Sequence, residues 1–330
     1  MTKYLNYPNH QTLLFHQKGI LNDGFFFIED KKKYLIIVDA NVYTLHNNLF
    51  KTSYTNVYTY IIVASEENKS IEEYQKIIDY LFANNFTRND EIIAIGGGII
   101  SDLSLYVSAT YKRGMNITLI PTTLLAMVDA SIGGKCGINY QGYKNQLGTF
   151  YFPKQIIIDE TFLETLSNNE FNNGFSEIIK YSIIKDEEMF DQIEQNQYQI
   201  NELIDKCIDI KIKIVTNDLY DNNERKLLNF GHTYGHIVES HSNFLISHGH
   251  SVAIGMYKEI SNEEIKSRLF NILSKMFDIE YPLEKDEISK YLIKDKKMTN
   301  DYIDVVFIEK IGYAKVVKKK VEELIDEYIW

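Results

Sequence analysis

The run Glu91-Ile92-Ile93-Ala94-Ile95 stops abruptly at Gly96-Gly97-Gly98. A short, mostly β-branched run bounded by glycine suits a strand buried on both faces, which needs helices above and below it. The surrounding chain supplies both. Residues 34–38 and 57–63 are further β-branched runs, and 116–120 and 155–158 repeat the pattern. Between them, Ile71, Tyr74, Ile77, Ile78, Leu81 and Phe82 recur at helical spacing over 71–86. This alternation predicts a mainly parallel sheet with helices on its faces, the α/β class.

After residue 159 the texture changes to long helical patterns at 169–184, 200–215, 225–240 and 248–270. A β-like pair, 304–308 and 314–317, could form a hairpin, and 321–328 reads as a last helix. A chain of 330 residues exceeds the usual single core. Two domains are therefore expected, 1–160 with the sheet and 161–330 mainly helical, without a proline-rich linker.

Charge narrows the function classes. A net charge of −11 disfavours a nucleic-acid surface, which would show a basic stripe. No apolar run reaches membrane-spanning length, so no membrane partner is expected. Cys136 and Cys207 are too few and too far apart for a disulfide framework. A cytoplasmic enzyme is the expectation. In such an acidic chain, lysines and arginines beside motifs become informative.

Three groups of residues carry chemistry. Gly96-Gly97-Gly98 follows a strand and precedes Ile99-Ile100-Ser101-Asp102. Glycines let the backbone approach a pyrophosphate, and the free N–H groups of a helix start hold its charge. Asp39 ends an earlier strand, where it could bind a ribose hydroxyl or simply cap a helix. The second group is basic and glycine-rich: Arg113-Gly114, Pro121-Thr122-Thr123, the run from Asp129 to Gly133-Gly134-Lys135, and Lys144-Asn145. It reads as an anion pocket or as a long solvated loop. The third is Gly231-His232-Thr233-Tyr234-Gly235-His236, then His248-Gly249-His250, with Glu177 and Lys180 upstream. His232 and His236 share a helix face, and two histidines with one carboxylate suit a catalytic divalent metal with an open position.

Taken in order, these segments resemble 3-dehydroquinate synthase, a sugar-phosphate cyclase family. The residues are Gly96 to Asp102, Arg113-Gly114, Pro121-Thr122-Thr123-Leu124-Leu125-Ala126, Asp129 to Asn139, Lys144-Asn145, Phe175 to Tyr181, Leu228 to His236 and His248-Gly249. The resemblance implies an N-terminal Rossmann-like NAD-binding domain, a helical C-terminal domain and an active site in the cleft between them. It implies Glu177, His232 and His248 as ligands of zinc or cobalt, which leaves His236 as an acid/base or positioning group. It assigns Asp39, Glu66, Lys69, Gly98, Ile99, Ile100, Ser101, Asp102, Thr122 and Thr123 to NAD. Lys135 and Lys144 border the nucleotide as well, with Phe162, Leu163, Glu164 and Thr165 in a further stretch nearby. Substrate contacts fall on Asp129, Lys135, Lys144, Asn145, Lys180, Lys211, Arg225 and Asn229. Lys296 or Lys297 would meet the phosphate, together with Arg113, which the resemblance allows to come from a partner subunit of a homodimer.

The implied reaction converts 3-deoxy-D-arabino-heptulosonate 7-phosphate to 3-dehydroquinate and phosphate, within the shikimate pathway, with NAD regenerated. The chain departs from the family pattern at His250, where Glu is usual, and at Ser101, Cys136, Asp221 and Ala64-Ser65-Glu66. Three alternatives remain open here. They are a cyclase acting on sedoheptulose 7-phosphate or glucose 6-phosphate, a metal-dependent polyol dehydrogenase, and a catalytically silent metal- and nucleotide-binding regulator.

Overall fold

The computed structural model describes residues 1–51, 54–292, 298–299 and 301–329. The chain forms two compact units, Met1–Phe171 and Asn172–Trp330. The expected boundary at 160/161 lies within a 3₁₀ turn, Glu160–Thr165, that is capped by Asp159 and tied into the first unit.

In the first unit the strands are β1 (Thr2–Tyr7), β2 (His10–His16), β3 (Tyr34–Asp39), β4 (Val57–Ile62), β5 (Glu91–Gly96), β6 (Asn116–Pro121), β7 (Lys135–Tyr140), β8 (Tyr143–Phe150) and β9 (Gln155–Ile158). The helices are α1 (Ala40–Leu45), α2 (Ile71–Ala83) and α3 (Gly98–Thr110). Seven strands make one sheet in the order β1-β2-β9-β6-β5-β3-β4, parallel except for β1 against β2. β5 is buried throughout and β3 nearly so, as central parallel strands covered on both faces must be. The β3–β4 connection runs one way from β3, and β5 lies on the other side. The carboxyl ends of β3 and β5 therefore flank a point where strand order reverses, the usual ligand position in such sheets.

Two hairpins were not anticipated. β1–β2 adds an edge to the sheet, and β7–β8 forms from the basic segment that read as a pocket or a long loop. Gln141 and Gly142 turn that hairpin with φ of 49° and 79°, the left-handed pair a tight hairpin turn requires. Gly137 and Gly148 oppose each other, and a Cβ on either would lie 2.6 Å from a backbone oxygen across the pair.

The second unit contains most of α4 (Asn168–Lys185), then α5 (Glu187–Glu194), α6 (Ile200–Asn217), α7 (His232–His241), α8 (His248–Glu259), α9 (Glu263–Leu273), α10 (Lys285–Leu292) and α11 (Val321–Tyr328). Its small sheet is β10 (Met298–Thr299), β11 (Tyr302–Lys310) and β12 (Tyr313–Lys320), with β11 and β12 the expected hairpin. The predicted helix 225–240 is broken at Gly231, whose φ of 76° separates a 3₁₀ turn from α7. The predicted helix 248–270 is likewise two, because the Asn262 side chain caps a new helix, α9. Its core gathers Tyr234, Ile237, Ile254, Ile303, Leu324 and Tyr328 from α7, α8, β11 and α11. Among the described residues, no helix is long and apolar enough to cross a membrane.

Candidate active site

The nucleotide candidates sit at one edge of three neighbouring strands. Val38 pairs with Ile95, and Gly96 pairs with Pro121, so Asp39, Gly96-Gly97-Gly98 and Thr122-Thr123 lie at adjacent carboxyl ends. Asp39 also caps α1, accepting from the Asn41 amide at 3.3 Å, and burial raises its pKa against the opposing pull of backbone N–H groups. The Gly97 amide region opens α3 without a side-chain cap, which leaves helix-start donors available for an anion. A Cβ on Gly97 would meet Thr123 at 3.1 Å, and one on Gly98 would meet the Ala130 side chain at 3.3 Å. Close approach, more than backbone twist, explains these glycines.

One helical turn into α3, Asp102 pairs with the buried Lys69 at 2.5 Å, and Lys69 also donates to Asn145 at 2.6 Å. Lys144 pairs with Glu66 at 2.9 Å, and Asn139 donates to the same carboxylate at 2.8 Å. The Asn145 amide closes the set by donating to Asn139 at 3.0 Å. Glu66, Lys69, Asp102, Lys144 and Asn145, far apart in sequence, thus share one polar network built on the β7–β8 hairpin. Burial works against the Glu66 charge, but Asn139 and the Lys144 and Lys69 ammonium groups hold its pKa below the usual range.

Other first-unit candidates are placed differently. Asp129 lies in a π-helical turn, Ala126–Ala130, and Lys135 opens β7. Phe162 is a core residue against the His46 ring, Leu163 is half-buried, Glu164 pairs with Lys18 on the surface, and Thr165 bonds His46 at 2.8 Å. Arg113 follows the far end of α3, about 20 Å of helix from Gly98. Ser101 is buried within α3 between Ile100 and Asp102.

In the second unit, Glu177 on α4, His232 at the first turn of α7 and His248 at the start of α8 converge, with candidate ligand atoms all within 4.8 Å. The Nε2 atoms of His232 and His248 lie 3.7 and 3.8 Å from Glu177 Oε1. A tetrahedral zinc with bonds of about 2.0–2.1 Å holds its ligand atoms about 3.3 Å apart, so a small contraction completes the site. Glu177 is fully buried, and neither of its oxygens accepts a hydrogen bond of normal geometry, although the Lys180 ammonium is ion-paired with Oε2. A buried carboxylate so poorly satisfied among imidazoles fits a cation, and three protein ligands leave a position for substrate.

Local structure explains the aim of each ring. His232 Nδ1 lies 3.0 Å from the Phe230 carbonyl, which turns Nε2 toward Glu177. Burial, with the charges of Lys180, His248 and His236, lowers its pKa well below the ordinary value, which favours the neutral form that ligates metal. For His248, burial opposes charge, but Glu239 and then Glu177 outweigh it and raise the pKa. α7 lacks a side-chain cap of its own. The Glu259 carboxylate serves instead, accepting from the amides of Gly231 at 2.8 Å and Tyr234 at 3.0 Å.

Glycines lock α7 against α8. A Cβ on Gly255 would lie 1.9 Å from the Gly231 carbonyl oxygen, with Gly235 also close by. Gly255→Ala is expected to destabilise the protein by about 3 kcal/mol and to weaken divalent-ion binding by spreading His232 from His248. Urea titration and a cobalt titration check the two effects, and a fully stable variant would contradict the packing argument.

His236 is exposed, with its ring centroid 5.4 Å from that of His232; it is not a member of the Glu177-centred triad but groups with Glu239 and His248 beside it. His250, unassigned by the sequence pattern, stacks on Phe277 at 4.8 Å and bonds the Asp278 carbonyl at 2.5 Å, so it tethers α8 to the chain beyond α9. Lys180 is buried beside Glu177 and Tyr181. Lys211 on α6 and Arg225 in the contacting 3₁₀ turn, Glu224–Asn229, are both buried cations, and Asn229 ends that turn. Arg225 donates from Nη1 to the Leu219 carbonyl at 2.7 Å, and its amide donates to Asp218. Lys296 and Lys297 lie outside the described residues.

Sequence reasoning overlooked Glu239, Glu259 and Asp218. Each is an acidic residue in a helix or polar turn, a composition that ordinarily marks a solvated face.

Two family models cover most of the chain: 3-dehydroquinate synthase N-terminal over residues 59–173 and 3-dehydroquinate synthase C-terminal over 174–298. The 3-dehydroquinate synthase of Streptococcus agalactiae is 34% identical, with 97% of each chain covered. Among solved structures, a 2-deoxy-scyllo-inosose synthase complexed with carbaglucose-6-phosphate, NAD+ and Co2+ superposes with a TM-score of 0.86 at 21% identity, covering 99% of this chain and 98% of that one. The 2-epi-5-epi-valiolone synthase of Streptomyces hygroscopicus, with NAD+ and Zn2+ bound, also gives 0.86, at 24% identity, covering 99% and 96%. These two establish the fold, a parallel-sheet α/β domain followed by a helical one. The matches across both units, together with the full-length relative, show that the chain belongs to the 3-dehydroquinate synthase family.

Proposed function

We propose that the protein is a 3-dehydroquinate synthase, converting 3-deoxy-D-arabino-heptulosonate 7-phosphate to 3-dehydroquinate and inorganic phosphate. Within the family, the observation that carries this choice of substrate is the pair of buried cations, Lys211 and Arg225, on contacting elements. The two cations stand on contacting elements, and the forked guanidinium suits a planar carboxylate. A heptulose or hexose phosphate lacks that carboxylate and would forgo this contact.

When bound, NAD+ would accept and return one hydride, and a divalent ion held by Glu177, His232 and His248 would lower the cost of alkoxide formation on the substrate. The chain's residues supply the rest. Asp39, the donors of Gly98 to Asp102, and Thr122 and Thr123 hold the nucleotide, with Glu66 and Lys69 beside it. Phe162 to Thr165 support it through the His46 contact. Lys135, Lys144 and Asn145, with Lys296 or Lys297, hold the phosphate and disperse its charge as it leaves. Asp129, Lys180 and Asn229 orient hydroxyls, and Lys211 with Arg225 grips the carboxylate. His236, exposed and near the cation ligands, passes the proton removed from the C5 hydroxyl and guides later proton movements.

Oxidation at C5 acidifies the C6–H. Its proton leaves as the C7–O bond to phosphate breaks, C5 is reduced again, and the opened enol closes by aldol addition. NAD ends as it began. We place Arg113 in the phosphate site of a second copy of the chain, because the length of α3 separates it from the glycine turn.

The expected result is phosphate release from the heptulosonate phosphate with catalytic NAD and zinc, without net NADH. Stoichiometric NADH would indicate a dehydrogenase instead. Faster phosphate release from sedoheptulose 7-phosphate or glucose 6-phosphate would overturn the carboxylate assignment, and binding of zinc and NAD without any turnover would favour the silent regulator.

A further inference from the structure

We propose that Glu239 is a positioning residue that sets the ring orientation and tautomer of His248 as a metal ligand, an inference that rests on the Glu177, His232 and His248 assignment. His232, His236 and Glu239 recur at i, i+4 and i+7 along α7, so they form one stripe of that helix. Glu239 ends the stripe buried, with its side chain only 8% exposed. Its Oε2 lies 3.6 Å from His248 Nδ1, while Nε2 of the same ring faces Glu177. The two ligand histidines are thus built alike. Each presents Nε2 to the cation position and has an acceptor behind Nδ1, the Phe230 carbonyl for His232 and the Glu239 carboxylate for His248.

The distance exceeds a formed hydrogen bond, so the contact in this state is electrostatic. Its direction still matters. A carboxylate behind Nδ1 favours the tautomer with the proton on that nitrogen and leaves the Nε2 lone pair for the ion. Cation ligation in turn makes the Nδ1–H a stronger donor, which offsets the cost of burying the Glu239 charge. A carbonyl behind one ligand and a carboxylate behind the other makes the two rings unequal. The hold of His248 on the ion therefore depends on Glu239.

Cobalt titration of the metal-stripped full-length protein, followed by visible absorption, tests this directly. Thermal melting of the same metal-free samples checks the fold. Wild type is expected to bind one Co2+ per chain, and His248→Ala to lose that binding. Glu239→Ala should weaken Co2+ binding by about 10–100-fold and alter the cobalt spectrum, with Glu239→Gln, which keeps an acceptor oxygen, falling between it and wild type. If the alanine variant fails to fold, the glutamine variant decides. A metal-free melting temperature like that of wild type with weakened Co2+ binding supports the proposal, whereas unchanged affinity and spectrum overturn it and leave the metal assignment standing. Unchanged binding in His248→Ala overturns the metal assignment and the proposal together. Two ions per chain in wild type, with only the second lost in Glu239→Gln, overturns it as well, because Glu239 would then be a ligand of its own ion beside His236 and His248.

Discussion

Glu177→Gln should abolish divalent-ion binding and lower turnover by about a thousandfold or more, the rate equivalent of the several kcal/mol that a Lewis acid supplies. The amide keeps the shape of the side chain but removes the only carboxylate in the triad. The same change has a second consequence. Lys180 is 1% exposed and ion-paired with Glu177, so the variant strands a buried ammonium. Breaking such a pair costs about 3–5 kcal/mol. Adding Lys180→Met should recover most of that stability without restoring ion binding. Denaturant titrations of the single and double variants, alongside metal analysis, separate the two effects. Full activity of Glu177→Gln in the presence of a strong chelator would exclude the metal assignment.

Arg225→Ala should reduce kcat/KM for the heptulosonate phosphate by about a hundred- to a thousandfold, from losing a desolvated charge partner worth about 3–4 kcal/mol. Arg225→Lys should recover only part of this, because a point charge cannot grip both carboxylate oxygens. The turn itself should survive. Asp218 still accepts from the amides of Asn222, Asn223 and residue 225, which do not depend on the guanidinium. Burial would raise the Asp218 pKa, but those amides and the Arg225 charge keep it below the usual carboxylate range. Its contribution to stability is therefore present above that range and lost as pH falls through the depressed value. In the alanine variant that contribution should be smaller, and its loss should be complete at a higher pH. Steady-state kinetics on substrates with and without the carboxylate give the deciding comparison, and an equal loss on both would remove the assigned role.

The central strands were legible because burial on both faces demands near-continuous apolar runs, and β3, β5 and β9 have them, with β6 interrupted only at Thr118. The two hairpins were not. β8 reads Tyr143-Lys144-Asn145-Gln146, polar on both sides because its outer surface is exposed, so no period stands out. The breaks at Gly231 and Asn262 were equally hidden, since apolar spacing continues through both and only backbone φ or a cap reveals them. At the site, residue types were visible but convergence was not. Spacing alone pairs His232 with His236. The fold instead brings His232 to Glu177 and His248, because Gly231 starts α7 afresh and the α7–α8 seam sets the rings together. Lys69 and Asp102 likewise meet only because α2 and the β7–β8 hairpin pack on α3.

The sheet order also bears on how the chain is made. Residues 13–16 of β2 take their parallel partners from β9, residues 155–158, and among the described residues β9 alone joins the β1–β2 hairpin to the rest of the sheet. During synthesis the hairpin emerges before its partner strand, with one edge unpaired, and it must wait until almost the whole first unit has left the ribosome. Exposed strand edges held open for that long invite wrong pairings. A single long-range pairing thus makes closure of the nucleotide-side sheet a late step, and it marks the β1–β2 hairpin as the segment of the nascent chain with most to gain from a chaperone.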